Sequence, residues 1–385
     1  MLLTTGTLLD HLQRNRRPDE VLLYFMATGA GPCRFGQYKV FMEDLIKKRA
    51  IEDVALFSLN SEDGYGGLDS RVHHKGWRSV VIADVMEDIR AMLLANAADP
   101  EKALVRFDSE WVLLIQAIKS GRPGAVEHQL DCAAEKLKEI ELRQPVEAVP
   151  VISLVGEIFV RRDGISRQYL TERLAQRGFA CVCAPVAEWI NYTDWLITKC
   201  LSCNGSMTLW KEIGFALKRR TMRRTDARIK QKLARSGLVH SPVVNIPDIV
   251  RHARPYMAPD HIGEAILTVG SALSEVASKT CGVIAIGPFG CMPNRMAEAI
   301  LNEVMTAKDK LDATPGDRRL QEALAGMEAL PFLAIESDGS PFPQIINAKL
   351  EAFCLRAQHL HERLQAVRGT NGFLGLNACR HTRRH

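Results

Sequence analysis

Residues 282–293 read GVIAIGPFGCMP, a short apolar run that passes into a loop framed by glycine and proline. The apolar part, residues 282–286, predicts a buried strand. Glycine permits positive φ and close backbone approach, whereas proline fixes φ. The sequence therefore predicts a loop that holds the Cys291 thiol at the end of a strand, outside the core, where a metal or a cluster could bind it.

A second cysteine has the same kind of sequence around it. Residues 21–27, VLLYFMA, predict a buried strand, and the loop GPCRFG at residues 31–36 follows with Cys33 inside it. The two loops are far apart in the sequence, so the fold must bring them together if they serve one centre. Each cysteine is either a metal or cluster ligand or a structural loop residue, and the residues alone leave both alternatives open.

Short apolar runs alternate with longer amphipathic segments, which predicts parallel sheets with helical crossovers. Strands are predicted at residues 21–27, 54–59, 151–155, 180–182, 282–286 and 332–335. Helices are predicted at residues 38–49, 78–142 with a break at 121–124, 166–178, 186–236, 259–278 and 344–367. We therefore expect an α/β fold with long helical segments.

The length of 385 residues favours two domains rather than one core. A proline-containing stretch, QPVEAVP at residues 144–150, marks the expected boundary. The first α/β domain, with its helical extension, is predicted at residues 1–145 and the second at 146–370. Residues 371–385 are predicted to form a basic, flexible tail.

Composition is that of a globular protein, with 46% apolar and 25% charged residues. The longest apolar runs are far shorter than a membrane span, and the amino terminus lacks the basic region of a signal peptide. These features predict a cytoplasmic protein that does not enter the membrane. Ten cysteines in a chain of this size do not indicate a disulfide framework, which is typical of short secreted domains.

Positive charge is concentrated at residues 218–232, although the net charge of the chain is only +5. A solvated helix face is one interpretation of this segment. Docking of an acidic partner or of a phosphorylated cofactor is the other. No aromatic residues alternate with the basic ones for base stacking, so we do not expect nucleic acid as a partner.

Ligands in open α/β sheets bind beyond the carboxyl ends of the strands, where four loops of this sequence are expected. They contain Cys33, Glu157, Cys291 and Asp338. The Glu157 carboxylate could orient a ligand or exchange a proton, or it could form an ion pair with a neighbouring arginine such as Arg161. Asp338 could contact a ligand, cap a helix or form an Asx turn.

The other cysteine patterns are weaker signals for a metal. Cys200 and Cys203 have the spacing of a metal pair but stand alone, so packing is the alternative. Cys181 and Cys183 alternate on a predicted strand, which is typical of a core. The sequence also lacks a Walker loop and a GxGxxG strand–helix turn, so we do not expect this chain to hydrolyse ATP by itself.

Four of these segments together resemble one family. The segments GPCRFGQY at 31–38, GEIFVRRD at 156–163, GPFGCMP at 287–293 and ESDGSPFPQ at 336–344 resemble the 2-hydroxyacyl-CoA dehydratase D-component superfamily. The closer similarity is to the dehydratase-like carboxyl-terminal region of the large activase-related proteins. It runs from about residue 5 to residue 357 in the expected order.

The resemblance implies two flavodoxin-like domains that enclose a 4Fe–4S or double-cubane cluster held by three cysteines of one chain. Two of these positions correspond to Cys33 and Cys291. The third belongs to a Cys-x-Pro loop that would precede residues 4–9, and this sequence has no cysteine there. Arg34, Glu157 and Asp338 become candidate contacts to the cluster surroundings or to substrate.

Two functions follow as expectations from the resemblance. The first is an iron–sulfur redox protein for low-potential electron transfer or reductive dehydration of a 2-hydroxyacyl-CoA. The second is a non-catalytic subunit, or a truncated gene product, that completes a cluster only with an upstream partner chain. The implied partners are an ATP-dependent activator or ATPase subunit, within a homo- or heterodimer.

Overall fold

The computed structural model describes residues 2–17, 19–26, 28, 35–58, 69–199, 209–239 and 242–378. Its strands are β1 (Leu22–Phe25), β2 (Val54–Phe57), β3 (Val151–Gly156), β4 (Ala180–Cys183), β5 (Gly282–Pro288) and β6 (Phe332–Ser337). Its helices are α1 (Leu2–Asn15), α2 (Gly36–Lys48), α3 (Ser70–Asn96), α4 (Pro100–Ser120), α5 (Ala125–Lys138), α6 (Ile158–Arg162), α7 (Leu170–Ala175), α8 (Val186–Thr198), α9 (Leu209–Leu233), α10 (Ile246–Ala253), α11 (Glu264–Glu275), α12 (Met292–Val304), α13 (Ala307–Ala313), α14 (Arg318–Leu324) and α15 (Gln344–Ala378). The expected α/β class with parallel sheets is confirmed.

The amino-terminal elements form a small unit in which β1 and β2 pair in parallel. Leu8 of α1 and Met42 of α2 are fully buried and form its core with Met26. Leu23 and Phe25 alternate with the covered residues of β1 and remain exposed, because successive strand residues point to opposite faces. The helices of this unit thus cover one face of the two-stranded sheet.

The second sheet has four parallel strands in the order β4-β3-β5-β6. The central strands β3 and β5 are buried along almost their whole length. Parallel strands covered on both faces have nearly continuous apolar sequences, which is why VISLVG and GVIAIGP form the middle of the sheet. The edge strand β6 instead alternates between buried and half-buried residues.

Helices cover both faces of this sheet, and alternate residues of the central strands point to each layer. Val155 and Val283 belong to the core on the face covered by α8, α10, α11 and α12. Ile152 and Ile284 belong to the core on the face covered by α7 and α15. The sheet is therefore the middle layer of an α/β/α sandwich.

Helices α3, α4, α5 and α9 form a third core beside the sheet. Helix α3 packs against β4 and α8 and covers the edge of the sheet that β4 forms. The indole nitrogen of Trp77 donates a hydrogen bond of 3.0 Å to the carbonyl oxygen of Met222, which joins α3 to α9. This packing connects residues 70–138 with the four-stranded sheet; a domain boundary near residue 145 stays a prediction.

One predicted helix differs markedly from the structure. The segment predicted as a helix at 166–178 is helical only in α7, because Gln168 and Tyr169 both have positive φ, at 52° and 51°. Residues other than glycine rarely adopt a positive φ, and it is incompatible with a right-handed helix, so a continuous helix cannot pass through these residues. None of the described helices combines the length and apolar character that crossing a membrane requires.

Candidate functional site

The loop that carries Cys291 lies at the carboxyl edge of the four-stranded sheet. The amide of Phe289 donates to the carbonyl oxygen of Ser337 at 2.9 Å, so the ends of β5 and β6 stay paired. Gly290 turns the chain with φ of 69°, in the region that favours glycine. The amide of Cys291 then donates to the carbonyl oxygen of Pro288 at 3.0 Å. These bonds fix the cysteine directly beyond the end of β5.

Cys291 is the N-cap residue of α12 and is half-buried. The positive end of the helix dipole stabilises a thiolate, and a cysteine at a helix N-terminus is correspondingly more reactive. One acidic side chain lies close to this turn. The Glu336 carboxylate accepts a hydrogen bond of 3.0 Å from the amide of Gly290 and lies 3.6 Å from the Arg295 guanidinium. The turn therefore combines a thiol with a carboxylate that accepts a backbone amide, and the nearby Arg295 guanidinium is shared with Glu298 at 2.6 Å.

Glu157 is held at the end of β3 as the N-cap of α6. Its carboxylate accepts hydrogen bonds from the amides of Phe159 at 3.1 Å and Val160 at 2.8 Å. The amide of Glu157 donates to the carbonyl oxygen of Ile286 at 3.0 Å, which ties this loop to β5. Of the alternatives considered for Glu157, an ion pair with Arg161, Arg162 or Arg167 is not present among the described residues; the carboxylate caps α6 instead.

The arginines that follow Glu157 bind other groups at the same edge. Arg161 is buried and donates to the carbonyl oxygens of Gly156 and Ala184, which joins the ends of β3 and β4. Arg162 donates to the Asp84 carboxylate at 2.8 Å and to Ala184 at 3.0 Å. Both guanidinium groups therefore fix the loops at the carboxyl edge.

Two further acids near this edge were not anticipated from the sequence. Burial raises the pKa of Glu188, in the first turn of α8, to about 7. Loss of hydration and the nearby Glu157 carboxylate raise the pKa of Glu264 to about 8, while the Arg161 guanidinium acts in the opposite direction. In the sequence, Glu188 stands in the first turn of the helix predicted at 186–236 and Glu264 within the helix predicted at 259–278, but neither position reveals burial.

The raised pKa of Glu188 predicts a pH-dependent stability. Between its ordinary pKa of 4.5 and about 7, the folded protein keeps a proton that the unfolded chain has released. The free energy of unfolding therefore falls as pH rises through this range, by about 3 kcal/mol for this group. Urea unfolding between pH 5 and 8 should show a smaller fall in Glu188→Gln than in the wild type. An unchanged slope, matching that of the exposed control Glu101→Gln, would contradict this assignment.

Asp338 follows β6 and is exposed. Its Oδ1 accepts a hydrogen bond of 2.9 Å from the amide of Ser340, which forms the Asx turn considered above. This bond lowers the pKa of Asp338. The preceding Ser337 hydroxyl donates to the carbonyl oxygen of Ser166 at 2.5 Å and connects β6 to the loop before α7.

The remaining predicted site residues divide into two groups. Cys33 and Arg34 lie outside the described residues, as do Cys200 and Cys203. Cys181 and Cys183 are buried in the core beside α7, as their alternation on β4 predicts, and burial raises the pKa of both thiols. No group of three or more histidine, cysteine or acidic side chains in the described ranges is arranged to hold a metal ion.

A cavity of about 690 Å³ opens at the opposite, amino edge of the sheet. Pro150 and Gly178, which shortly precede β3 and β4, line it together with Arg177 and His361. It is therefore separated from the Cys291 turn by the length of the strands.

The turn at Cys291, the Glu157 cap and the Glu336 carboxylate together make up the candidate functional site. The site offers one described thiol at a helix N-terminus, in a fixed backbone turn beyond a parallel sheet. Comparison with protein families, curated proteins and solved structures found no match to this chain.

Proposed function

We propose that this chain is a cytoplasmic iron–sulfur protein of the 2-hydroxyacyl-CoA dehydratase and activase group. Cys33 and Cys291 would ligate a cluster of the 4Fe–4S or double-cubane type. The observation that carries the proposal is the position of Cys291 at the N-cap of α12, on a fixed turn beyond β5. The four sequence segments that resemble this group give the reason for choosing iron and sulfide over other metals.

Within the described residues, the support for iron–sulfur ligation is one thiol, that of Cys291. Thiolates are the usual ligands of such clusters, normally four for each cluster. A thiolate at a helix N-terminus is electrostatically stabilised by the dipole of the helix, here that of α12. When bound, a cluster of this type supplies low-potential electron transfer. The role of the chain is then to hold thiolates and to set the polarity around them.

The strand order supports a flavodoxin-like second domain within this proposal. Counted along the chain from β3, the sheet order is second, first, third and fourth strand. The flavodoxin-like doubly wound order begins in the same way. Its ligand crevice lies beyond the carboxyl ends, at the point between the first and third strands. In this sheet that point falls between β3 and β5, whose following loops contain Glu157 and Cys291.

Other residues would shape the surroundings of the cluster or contact substrate. Each Glu157 carboxylate oxygen accepts one amide and retains a second lone pair that could accept from a ligand. Asp338 retains its second carboxylate oxygen outside the Asx turn. Arg34 adjoins Cys33 in the sequence and would supply positive charge.

A second candidate is a subunit that completes its cluster with a partner chain. The resemblance assigns two ligands to residues of this sequence, Cys33 and Cys291, whereas a 4Fe–4S cluster normally has four thiolate ligands. A separate polypeptide would donate a further thiolate, and an ATP-dependent activator or ATPase subunit would be the partner. This arrangement requires a heteromer, and we expect neither nucleic acid nor a membrane as a partner.

The test is anaerobic purification of the full chain, alone and co-expressed with candidate activator subunits, followed by iron and acid-labile sulfide analysis. EPR after reduction identifies the cluster. About four irons per chain in the protein purified alone would support the redox protein. The same signal only on co-expression would support the partner-dependent subunit. Absence of iron and sulfide under both conditions would contradict both proposals.

A further inference from the structure

A second feature of the molecule lies far in sequence from the cysteine loops. A cavity of about 290 Å³ lies between helices α3, α5 and α9. Two fully or nearly buried apolar residues, Leu130 and Ile229, form part of its lining. Its charged and titratable side chains are His74, Arg78, Glu127, Arg224, Arg228 and Lys232. Basic side chains therefore dominate its polar lining.

Helix periodicity explains how the basic residues gather in this cavity. Arg224, Arg228 and Lys232 follow each other every fourth residue on α9 and share one face. His74 and Arg78 have the same spacing on α3, which packs against α9. Two helices therefore bring basic side chains to one cavity, whereas a solvated face of a single helix would not require such a convergence.

Acidic residues neutralise only some of these charges. Arg78 donates to the Glu127 carboxylate at 2.8 Å, and Lys232 donates to Asp131 at 2.5 Å. Arg224 and Arg228 are exposed, and within the described ranges neither has an acidic partner. Like charges four residues apart on a helix repel each other, so the pair is unfavourable without a counter-charge.

We propose that this cavity binds a small oligophosphate, with Arg224 and Arg228 as its principal contacts. The planar guanidinium group donates two parallel hydrogen bonds to phosphate oxygens, which suits neighbouring phosphates along a chain. The volume of about 290 Å³ lies at the lower end of the range for small-ligand sites. This inference uses residues remote from Cys291 and does not rest on the proposed cluster.

The test measures binding to the full chain by isothermal titration calorimetry at low ionic strength. The probes are inorganic triphosphate and a nucleoside triphosphate without added metal. The variant Arg224→Gln/Arg228→Gln removes the two contacts and retains good helix-forming residues. The matched control, Arg220→Gln/Arg223→Gln, removes the same charge from residues of α9 that do not line the cavity. Circular dichroism and thermal unfolding establish that both variants are folded.

We expect saturable binding at one site per chain. The affinity should fall about tenfold or more in Arg224→Gln/Arg228→Gln and change little in the control. Tighter binding of the nucleotide than of inorganic triphosphate would assign a contact to the base or sugar; equal affinities would assign recognition to the phosphate chain alone. Equal losses in both variants, or no saturable binding by the wild type, would overturn the proposal. Displacement of triphosphate by a single-stranded oligonucleotide with higher affinity would also overturn it.

Discussion

Gly156→Ala should lower the free energy of unfolding by about 3–5 kcal/mol, from a combination of backbone strain and overpacking. Gly156 has φ of +112°, a backbone conformation that residues with a side chain rarely adopt. An added Cβ would lie 2.0 Å from the carbonyl oxygen of Ile286, far inside van der Waals contact. That oxygen accepts the amide of Glu157, so the ends of β3 and β5 would have to separate. Urea unfolding followed by circular dichroism measures the effect.

Gly178→Ala separates the two causes of this destabilisation. Gly178 has φ of +81°, but an added Cβ there meets nothing within 4 Å. We therefore expect a cost of about 1–2 kcal/mol, from the backbone conformation alone. Equal costs for the two variants would show that β3 and β5 do not approach each other as described at the carboxyl edge.

Asp84→Ala should also lower the free energy of unfolding strongly, by about 3–5 kcal/mol. The substitution leaves the largely buried Arg162 guanidinium without its acidic partner. The buried Asp84 carboxylate accepts hydrogen bonds of 2.9 Å from the amides of Val186 and Ala187 at the start of α8. It also accepts the Arg162 guanidinium at 2.8 Å. The substitution therefore releases α3 from both α6 and α8. Chemical unfolding is the measurement.

Asp317→Ala provides the matched control for this prediction. Asp317 is an exposed N-cap whose carboxylate likewise accepts two backbone amides, from Arg319 and Leu320. Its loss should cost about 1 kcal/mol, as for an ordinary helix cap. If Asp84→Ala is no more destabilising than Asp317→Ala, the buried pair with Arg162 does not contribute as described.

The central strands could be predicted closely from the sequence because their signal is local. The apolar runs at 151–155 and 282–286 coincide with most of β3 and β5, and burial on both faces permits such continuous runs. Helix starts were harder to place. Residues through Pro293 were expected to form a loop, whereas α12 begins at Met292 with the proline in its first turn. Proline is common there because its missing N–H has no helical partner.

Only part of the candidate site could be predicted from the sequence. The end of β5 could be recognised from glycine and proline, which fix local backbone geometry. The cap formed by Glu157 and the burial of Glu188 depend on which helices meet at the carboxyl edge. Such contacts are tertiary and leave no periodic pattern in the sequence. For the same reason, the packing of α3 against β4 could not be predicted from the sequence, since it joins segments far apart along the chain.

The most direct test of the central claim is the iron content of Cys291→Ser, beside Cys132→Ser as a control that is also half-buried but lies on α5. Both variants and the wild type are purified anaerobically under whichever condition, alone or with an activator subunit, yields iron in the wild type. The account predicts that Cys132→Ser keeps the iron, the sulfide and the EPR signal of the wild type, and that Cys291→Ser loses them while remaining folded. Iron retained in full by Cys291→Ser would contradict the assignment of Cys291 as a cluster ligand.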